Sequence, residues 1–256
     1  MNKITKAFEN KKVFIAFITG GDPDIETSEK LIIAMAEAGV DIIEIGIPFS
    51  DPVAEGLVIQ QADERALKNG CTVDKLFAMV KRVREKVEIP LLFMGYINPI
   101  FVYGKERFME KCRECGIAGV IVPDLPYEER DELSDVCAEY GITQISMVAP
   151  TSDNRAERIA KEAEGFIYCV SSLGVTGMRG EINTNIGEMI ARIKSISPTP
   201  CAIGFGISTP EQAKEMAAIS DGVIIGSAIV KLIAENGREC VAPVKDFVAR
   251  IADAIN

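Results

Sequence analysis

The chain has 256 residues, 48% of them hydrophobic, and 38 acidic side chains against 28 basic ones give it a formal net charge of −10. A chain this long buries about three-quarters of its unfolded surface, so its core needs no disulfide or metal staple, and an acidic balance without a basic stripe argues against nucleic acid as a partner. It contains no histidine, which removes Ser-His and Cys-His triads and His-ligated metal together.

Met1–Asn10 lacks the apolar core of a signal peptide and reads as an extra helix able to plug one end of a barrel. No charge-free apolar run approaches the ~20 residues of a membrane span, so the cytoplasm is the expected compartment. Short β-branched or isoleucine-rich runs then alternate with amphipathic stretches. Strand Val13–Thr19 precedes helix Glu26–Ala38, and strand Asp41–Gly46 precedes the long loop Pro48–Glu55. Helix Val73–Lys86 follows, with Thr72 as its cap, then strand Leu91–Met94 and helix Glu106–Cys115. Strand Gly119–Val122 leads to helix Glu128–Tyr140, and strand Gln144–Val148 to helix Asn154–Ala163, which Ser152-Asp153 can cap. After strand Phe166–Val170 a long stretch, Ser171–Asn185, carries several glycines and reads as a flexible loop before helix Ile186–Ile196. Strand Cys201–Gly204 is followed by helix Pro210–Ala217, where Thr209-Pro210 supplies a capping hydroxyl and a proline at the first helical position. Strand Gly222–Ile225, a short helix Ser227–Ile233 and helix Val244–Ala254 close the chain.

Eight strand–helix repeats without a linker or low-complexity segment predict a single TIM-barrel domain over residues 1–256, a (β/α)8 fold with an extra N-terminal helix. A doubly wound sheet is the alternative. The count of eight, and the glycine-rich turns after the last two strands, where barrels commonly hold phosphate, favour the barrel. Both long loops then follow strand C-termini and lie on the active face, where long loops serve as lids or partner contacts.

Glu44 is the strongest candidate for chemistry. It is an acid in the run Asp41-Ile42-Ile43-Glu44-Ile45-Gly46. Strand alternation places Ile42, Glu44 and Gly46 on one face and Ile43 and Ile45 on the other. Near the C-terminal mouth of a barrel, Glu44 can face the lumen, and burial there raises a carboxyl toward a pKa useful for proton transfer. An inward acid paired with a lysine or hydroxyl is the structural alternative. Glu55, eleven residues on, reads by itself as a solvated loop acid. Gly204-Phe205-Gly206-Ile207-Ser208 and Gly226-Ser227-Ala228-Ile229 place glycines where a backbone can approach an anion, and a helix starting at Ser227 would aim N–H groups at it. Gly177 could add another donor. Each glycine taken singly reads equally well as a tight turn. Asn98-Pro99 and Pro123-Asp124-Leu125-Pro126 read as rigid mouth loops. Seven cysteines are present, and Cys112 and Cys115 match a Cys-x-x-Cys spacing. With no second pair to complete a zinc site, they read as structural thiols.

The run Ile-Glu-Ile-Gly-Ile-Pro-Phe-Ser-Asp-Pro at Ile43–Pro52 resembles the signature of the tryptophan synthase alpha subunit family. The resemblance extends in family order through Thr19-Gly20-Gly21-Asp22-Pro23, Tyr96-Ile97-Asn98-Pro99, Pro123–Pro126, Gly174-Val175-Thr176-Gly177, Gly204–Ser208 and Gly226–Val230. It implies a (β/α)8 barrel that cleaves indole-3-glycerol phosphate to indole and glyceraldehyde 3-phosphate by a retro-aldol reaction. It also implies a heterotetramer with a beta subunit that holds pyridoxal phosphate, while this chain carries no cofactor or metal. By the same resemblance Glu44 is the acid/base that protonates indole C3, and Tyr168 stands beside it. Thr176 helps close the site, and Phe17 and Tyr96 line the indole pocket. Gly177, Gly206, Gly226 and Ser227 hold phosphate, and Pro48 and Asp51 meet the partner. One departure stands out. Where the family has Ala-Asp-Gly-Pro, this chain has Ala54-Glu55-Gly56-Leu57. The acid is one methylene longer and the stiffening proline is missing, which implies a weak enzyme when alone. The two other readings are a chain that mainly activates its partner and a different sugar-phosphate barrel enzyme. The latter commonly needs histidine.

Overall fold

A computed structural model describes residues 2–149, 153–170, 179–204 and 206–256. Its strands are β1 (Val13–Thr19), β2 (Ile42–Gly46), β3 (Leu91–Met94), β4 (Gly119–Ile121), β5 (Thr143–Gln144), β6 (Ser146–Val148), β7 (Ile167–Val170), β8 (Cys201–Gly204) and β9 (Gly222–Ile225). All pair in parallel, in the order β5-β4-β3-β2-β1-β9-β8-β7-β6. The two ends of that order are separated along the chain by Ile145 alone and form one broken strand, so the sheet closes on itself as a (β/α)8 TIM barrel. The fifth strand breaks at Ile145 because its halves serve different neighbours. Thr143 and Gln144 pair with Gly119 and Val120, whereas Ser146–Val148 pair with Ile167–Cys169.

Between the strands lie α1 (Lys3–Ala7), α2 (Ile25–Glu37), α3 (Leu57–Lys68), α4 (Val73–Val83), α5 (Ile97–Tyr103), α6 (Lys105–Cys115), α7 (Asp131–Tyr140), α8 (Asp153–Glu162), α9 (Arg179–Ile196), α10 (Pro210–Ile219), α11 (Ser227–Asn236) and α12 (Val241–Ile255). Local chemistry sets their starts. The Asp24 carboxylate accepts from the Thr27 N–H at 2.8 Å, and the Thr72 and Thr209 hydroxyls accept from Lys75 and Gln212 N–H groups at 3.3 Å, each satisfying a donor the helix itself leaves free.

Alternation along the strands divides the core into two layers. Phe14, Ala16, Ile18, Ile43 and Ile45 pack outward beneath the helices. Val13, Ile15, Ile42, Leu92, Ile121 and Phe166 fill the barrel. α1 seals the floor: Ile4 is fully buried among those interior side chains, and the Phe8 and Phe166 rings lie 5.7 Å apart.

Three expectations need correction. α3 and α5 were not anticipated, and Asn98 and Pro99 lie in the first turn of α5 rather than in a loop. Helix α9 starts at Arg179, inside the stretch read as a loop. Among the described side chains its buried apolar stripe is Ile186, Ile190 and Ile193, the run from which the later start is read.

Candidate active site at the barrel mouth

The inward face of β1 runs Val13, Ile15, Phe17, and that of β2 runs Ile42, Glu44. Phe17 and Glu44 are register partners, and Leu92 lies opposite Glu44 on its other side. Glu44 is therefore carried to the top layer of the barrel interior by the period of two that buries its isoleucine neighbours outward. It is fully buried, and neither carboxylate oxygen has a hydrogen-bond partner among the described residues. Burial without a compensating charge favours the neutral acid and pushes the carboxyl from its ordinary 4.5 up to about 8. At neutral pH Glu44 holds a proton that it can give away.

Tyr168, on β7, is buried and feels the charges of both Glu44 and Glu55. Burial first, then those charges, raise its hydroxyl well above the ordinary value, so it acts as a neutral phenol. Glycines make room for the rings of this layer. A methyl group added at Gly204 would lie 2.7 Å from a Tyr168 ring carbon, and one at Gly46 would lie 2.7 Å from the Phe17 ring.

Above this layer opens a cleft. Phe17, Met94, Tyr168 and Ile224 make its apolar wall, while Glu55, Gly204, Gly206, Gly226 and Ser227 supply its polar rim. α11 begins at that rim. Its Gly226 cap provides no side-chain hydrogen bond, so the first-turn N–H groups and the positive end of the helix dipole are left for an anion. Gly206 has φ +46°, a left-handed conformation that suits glycine. Another cavity lies beside Val122, Tyr127 and α8, but its lining holds no acid.

The loop between β2 and α3 brings Glu55 to the rim. The Ala54 N–H donates to the Tyr96 hydroxyl at 2.9 Å, the Phe49 and Tyr96 rings lie 5.3 Å apart, and the Gln60 side-chain amide donates to the Glu55 carbonyl at 2.8 Å. Tyr96 thus braces the loop from beneath and does not line the cleft. Glu55 is half-buried, and desolvation first, with the Asp124 charge after it, raises its carboxyl to about 7. Asp124 itself accepts from the Ile97 N–H at 3.0 Å. Pro48 is buried and Asp51 exposed. Thr176 and Gly177 fall outside the described residues.

Two groups at the mouth were not singled out in the sequence, since both depend on α3. Asp63 is buried, accepts from the Thr19 hydroxyl at 3.4 Å and from the Phe49 backbone N–H, and is raised to about 7 by burial and then by the Glu55 charge. Arg65 forms a two-pronged pair with the buried Asp22, both N–H···O distances being 2.8 Å. All seven cysteines are buried free thiols, Cys112 and Cys115 among them.

A family model described as tryptophan synthase alpha chain matches residues 4–256. The tryptophan synthase alpha chain of Lacticaseibacillus casei is 47% identical over 256 residues, covering all of this chain and 96% of that protein. Among solved structures, tryptophan synthase subunit alpha from Legionella pneumophila superposes with a TM-score of 0.91 at 36% identity, covering all of this chain and 98% of that one. The tryptophan synthase complex of Pyrococcus furiosus superposes with a TM-score of 0.87 at 34% identity, covering 95% of this chain and 99% of that one.

Proposed function

This chain belongs to the tryptophan synthase alpha chain family, and from that premise we propose that it cleaves indole-3-glycerol phosphate to indole and glyceraldehyde 3-phosphate, as one barrel domain working in the cytoplasm. The observation that carries the reading is the protonated, unpartnered Glu44 carboxyl, buried as the register partner of Phe17, whose ring lines a cleft with an apolar wall and a helix N-terminus at its rim.

The reaction needs little beyond what the site offers. Glu44 delivers its proton to indole C3, which gives an indolenine and leaves Glu44 as the carboxylate. That carboxylate accepts the proton of the side-chain hydroxyl on the carbon attached to C3. The bond between that carbon and C3 breaks, its electron pair restores the aromatic ring, and the hydroxyl carbon becomes the aldehyde of glyceraldehyde 3-phosphate. Glu55, ionised, accepts a hydrogen bond from the N1–H group and stabilises the positive charge that builds on the ring. Tyr168 packs beside Glu44 and keeps water from it. Phe17 flanks the indole, and Tyr96 holds the loop that brings Glu55 in. The phosphate sits at Gly206, Gly226 and Ser227, and the family resemblance adds Thr176 and Gly177, which lie outside the described residues, to the groups that serve the site. Phosphate binding remote from the broken bond supplies energy for positioning.

The family carries no cofactor of its own, and pyridoxal phosphate belongs to the beta subunit. We infer that this chain assembles with such a subunit through its mouth, in an alpha2beta2 complex. Val53, Leu57 and Val102 are 82%, 72% and 80% exposed there, an apolar set suited to burial against a partner. Pro48 and Asp51 lie in the same loop. The test is a spectroscopic assay of indole release with and without a beta subunit. Indole formed under either condition supports the reading, and none under both refutes it.

A further inference from the structure

Asp63 is a buried acid that the cleavage chemistry does not use. It is 5% exposed on the inner side of α3, and the groups that touch it are donors without charge: the Thr19 hydroxyl and the Phe49 N–H. The nearby Arg65 is committed to Asp22 through both prongs of its guanidinium. Glu55 faces it with a like charge. A carboxyl held in this way costs folding free energy, because desolvation is not offset by an opposite charge. Packing alone would be better served by an apolar side chain.

Its position gives it another role. Thr19 ends β1, where it pairs with Gly46 at the end of β2. Phe49 is three residues past that point, at the beginning of the loop that ends in Glu55 and the Gly56 cap of α3. Asp63 lies two turns further along the same helix. One side chain therefore links the end of β1, the start of the loop and the helix into which the loop runs. The hydrogen bonds of Tyr96 and Gln60 fasten the far end, and at the root Tyr96 adds a ring contact to Phe49.

We propose that Asp63 is a positioning residue that latches the root of the Pro48–Glu55 loop to the barrel rim and thereby sets where the Glu55 carboxyl arrives in the cleft. The inference rests on the cleavage reading, in which Glu55 must reach the indole N1–H. Placement is demanding there, since an error of about 1 Å costs on the order of a hundredfold in rate.

The experiment compares Asp63→Ala, Asp63→Asn and Thr19→Val with the wild type in the complex with a beta subunit, alongside amide hydrogen exchange of the isolated chain. Asp63→Ala is expected to lower kcat roughly ten- to a hundredfold while KM stays within about threefold, and to speed exchange at the Phe49 amide. Asp63→Asn keeps an acceptor for both donors and is expected to restore kcat to within a few-fold. Thr19→Val, which removes one donor and keeps the carboxyl, is expected to lower kcat several-fold and decides the matter if Asp63→Ala does not fold. Unchanged kcat in Thr19→Val or Asp63→Ala, an Asn variant as poor as the Ala variant, or unchanged Phe49 exchange would overturn the proposal. The exchange measurement needs no substrate. A wild type that releases no indole would thus sink the cleavage reading and leave the latch to be judged by exchange.

Discussion

Replacing Glu44 with glutamine tests the burial on which the chemistry depends, apart from the chemistry itself. Below pH 4.5 the carboxyl is protonated in both folded and unfolded chains and makes no pH-dependent contribution. Between 4.5 and about 8 the unfolded chain has released the proton while the folded chain retains it. The folded state binds more protons across that window, so its stability falls as pH rises, and the full penalty is reached above pH 8. A rise from 4.5 to about 8, at ~1.4 kcal/mol per pKa unit, sets a ceiling of about 5 kcal/mol. Relaxation and water entry reduce this in practice, so we expect ~2–5 kcal/mol. Glu44→Gln cannot ionise. Glu55 and Asp63 are also raised, to about 7 each, but they are present in both proteins and cancel in the comparison. Urea unfolding of the two proteins at pH 5 and pH 8.5 should show the variant gaining ~2–4 kcal/mol on the wild type between these conditions, since at pH 5 part of the unfolded carboxyl has already ionised. Parallel pH dependences, differing by less than ~1 kcal/mol, would mean that the carboxyl is solvated or paired, and the argument for a neutral acid at pH 7 would fail. The same variant should release no indole while binding a substrate analogue within a few-fold of wild type.

Glu55→Asp should keep or raise turnover, since it restores the shorter acid; a collapse to background in the indole assay would show that the loop is fitted to the longer side chain. Gly204→Ala places a methyl 2.7 Å from a Tyr168 ring carbon and 2.8 Å from its hydroxyl oxygen, and overpacking of this kind costs ~1–3 kcal/mol. Its urea midpoint and turnover should both fall, and an unaltered pair of values would contradict the close approach. Leu57→Asp puts a charge on a residue that is 72% exposed, so folding should be unaffected while beta-subunit binding, read by titration calorimetry, weakens at least tenfold; equal affinity would place the interface elsewhere.

Much of the barrel was legible because buried parallel strands are written as near-continuous apolar runs, with polar breaks at Glu44 and in Gln144-Ile145-Ser146. Glu44 stood out for the same reason, since an acid in such a run has few neutral explanations. The helices that escaped were those whose burial is weak or whose sequence resembles another element. α3 buries only Ala62, Asp63 and Ala66 and begins with the strand-like Leu57-Val58-Ile59. α5 buries only Ile100 and has a proline in its first turn. The cost was concentrated at the site: Asp63 and Arg65 act through contacts made across α3, and no spacing in the chain brings Thr19, Phe49 and residue 63 together. The split at Ile145 was equally hidden, because a strand's change of neighbour leaves no mark on its alternation.

That split has a consequence for how the molecule can be assembled. On one side of Ile145 the strands from β1 to β5 occur in the same order along the chain as around the wall, and on the other side so do β6 to β9. Each half is a ribbon of nearest neighbours that can zip up from local encounters, which shortens the loops to be closed and favours rapid folding. A single seam, Val13–Ala16 against Gly222–Ile225, must await the meeting of distant segments. The two ribbons, supplied as separate polypeptides, have one edge each to recognise and one missing peptide bond to do without.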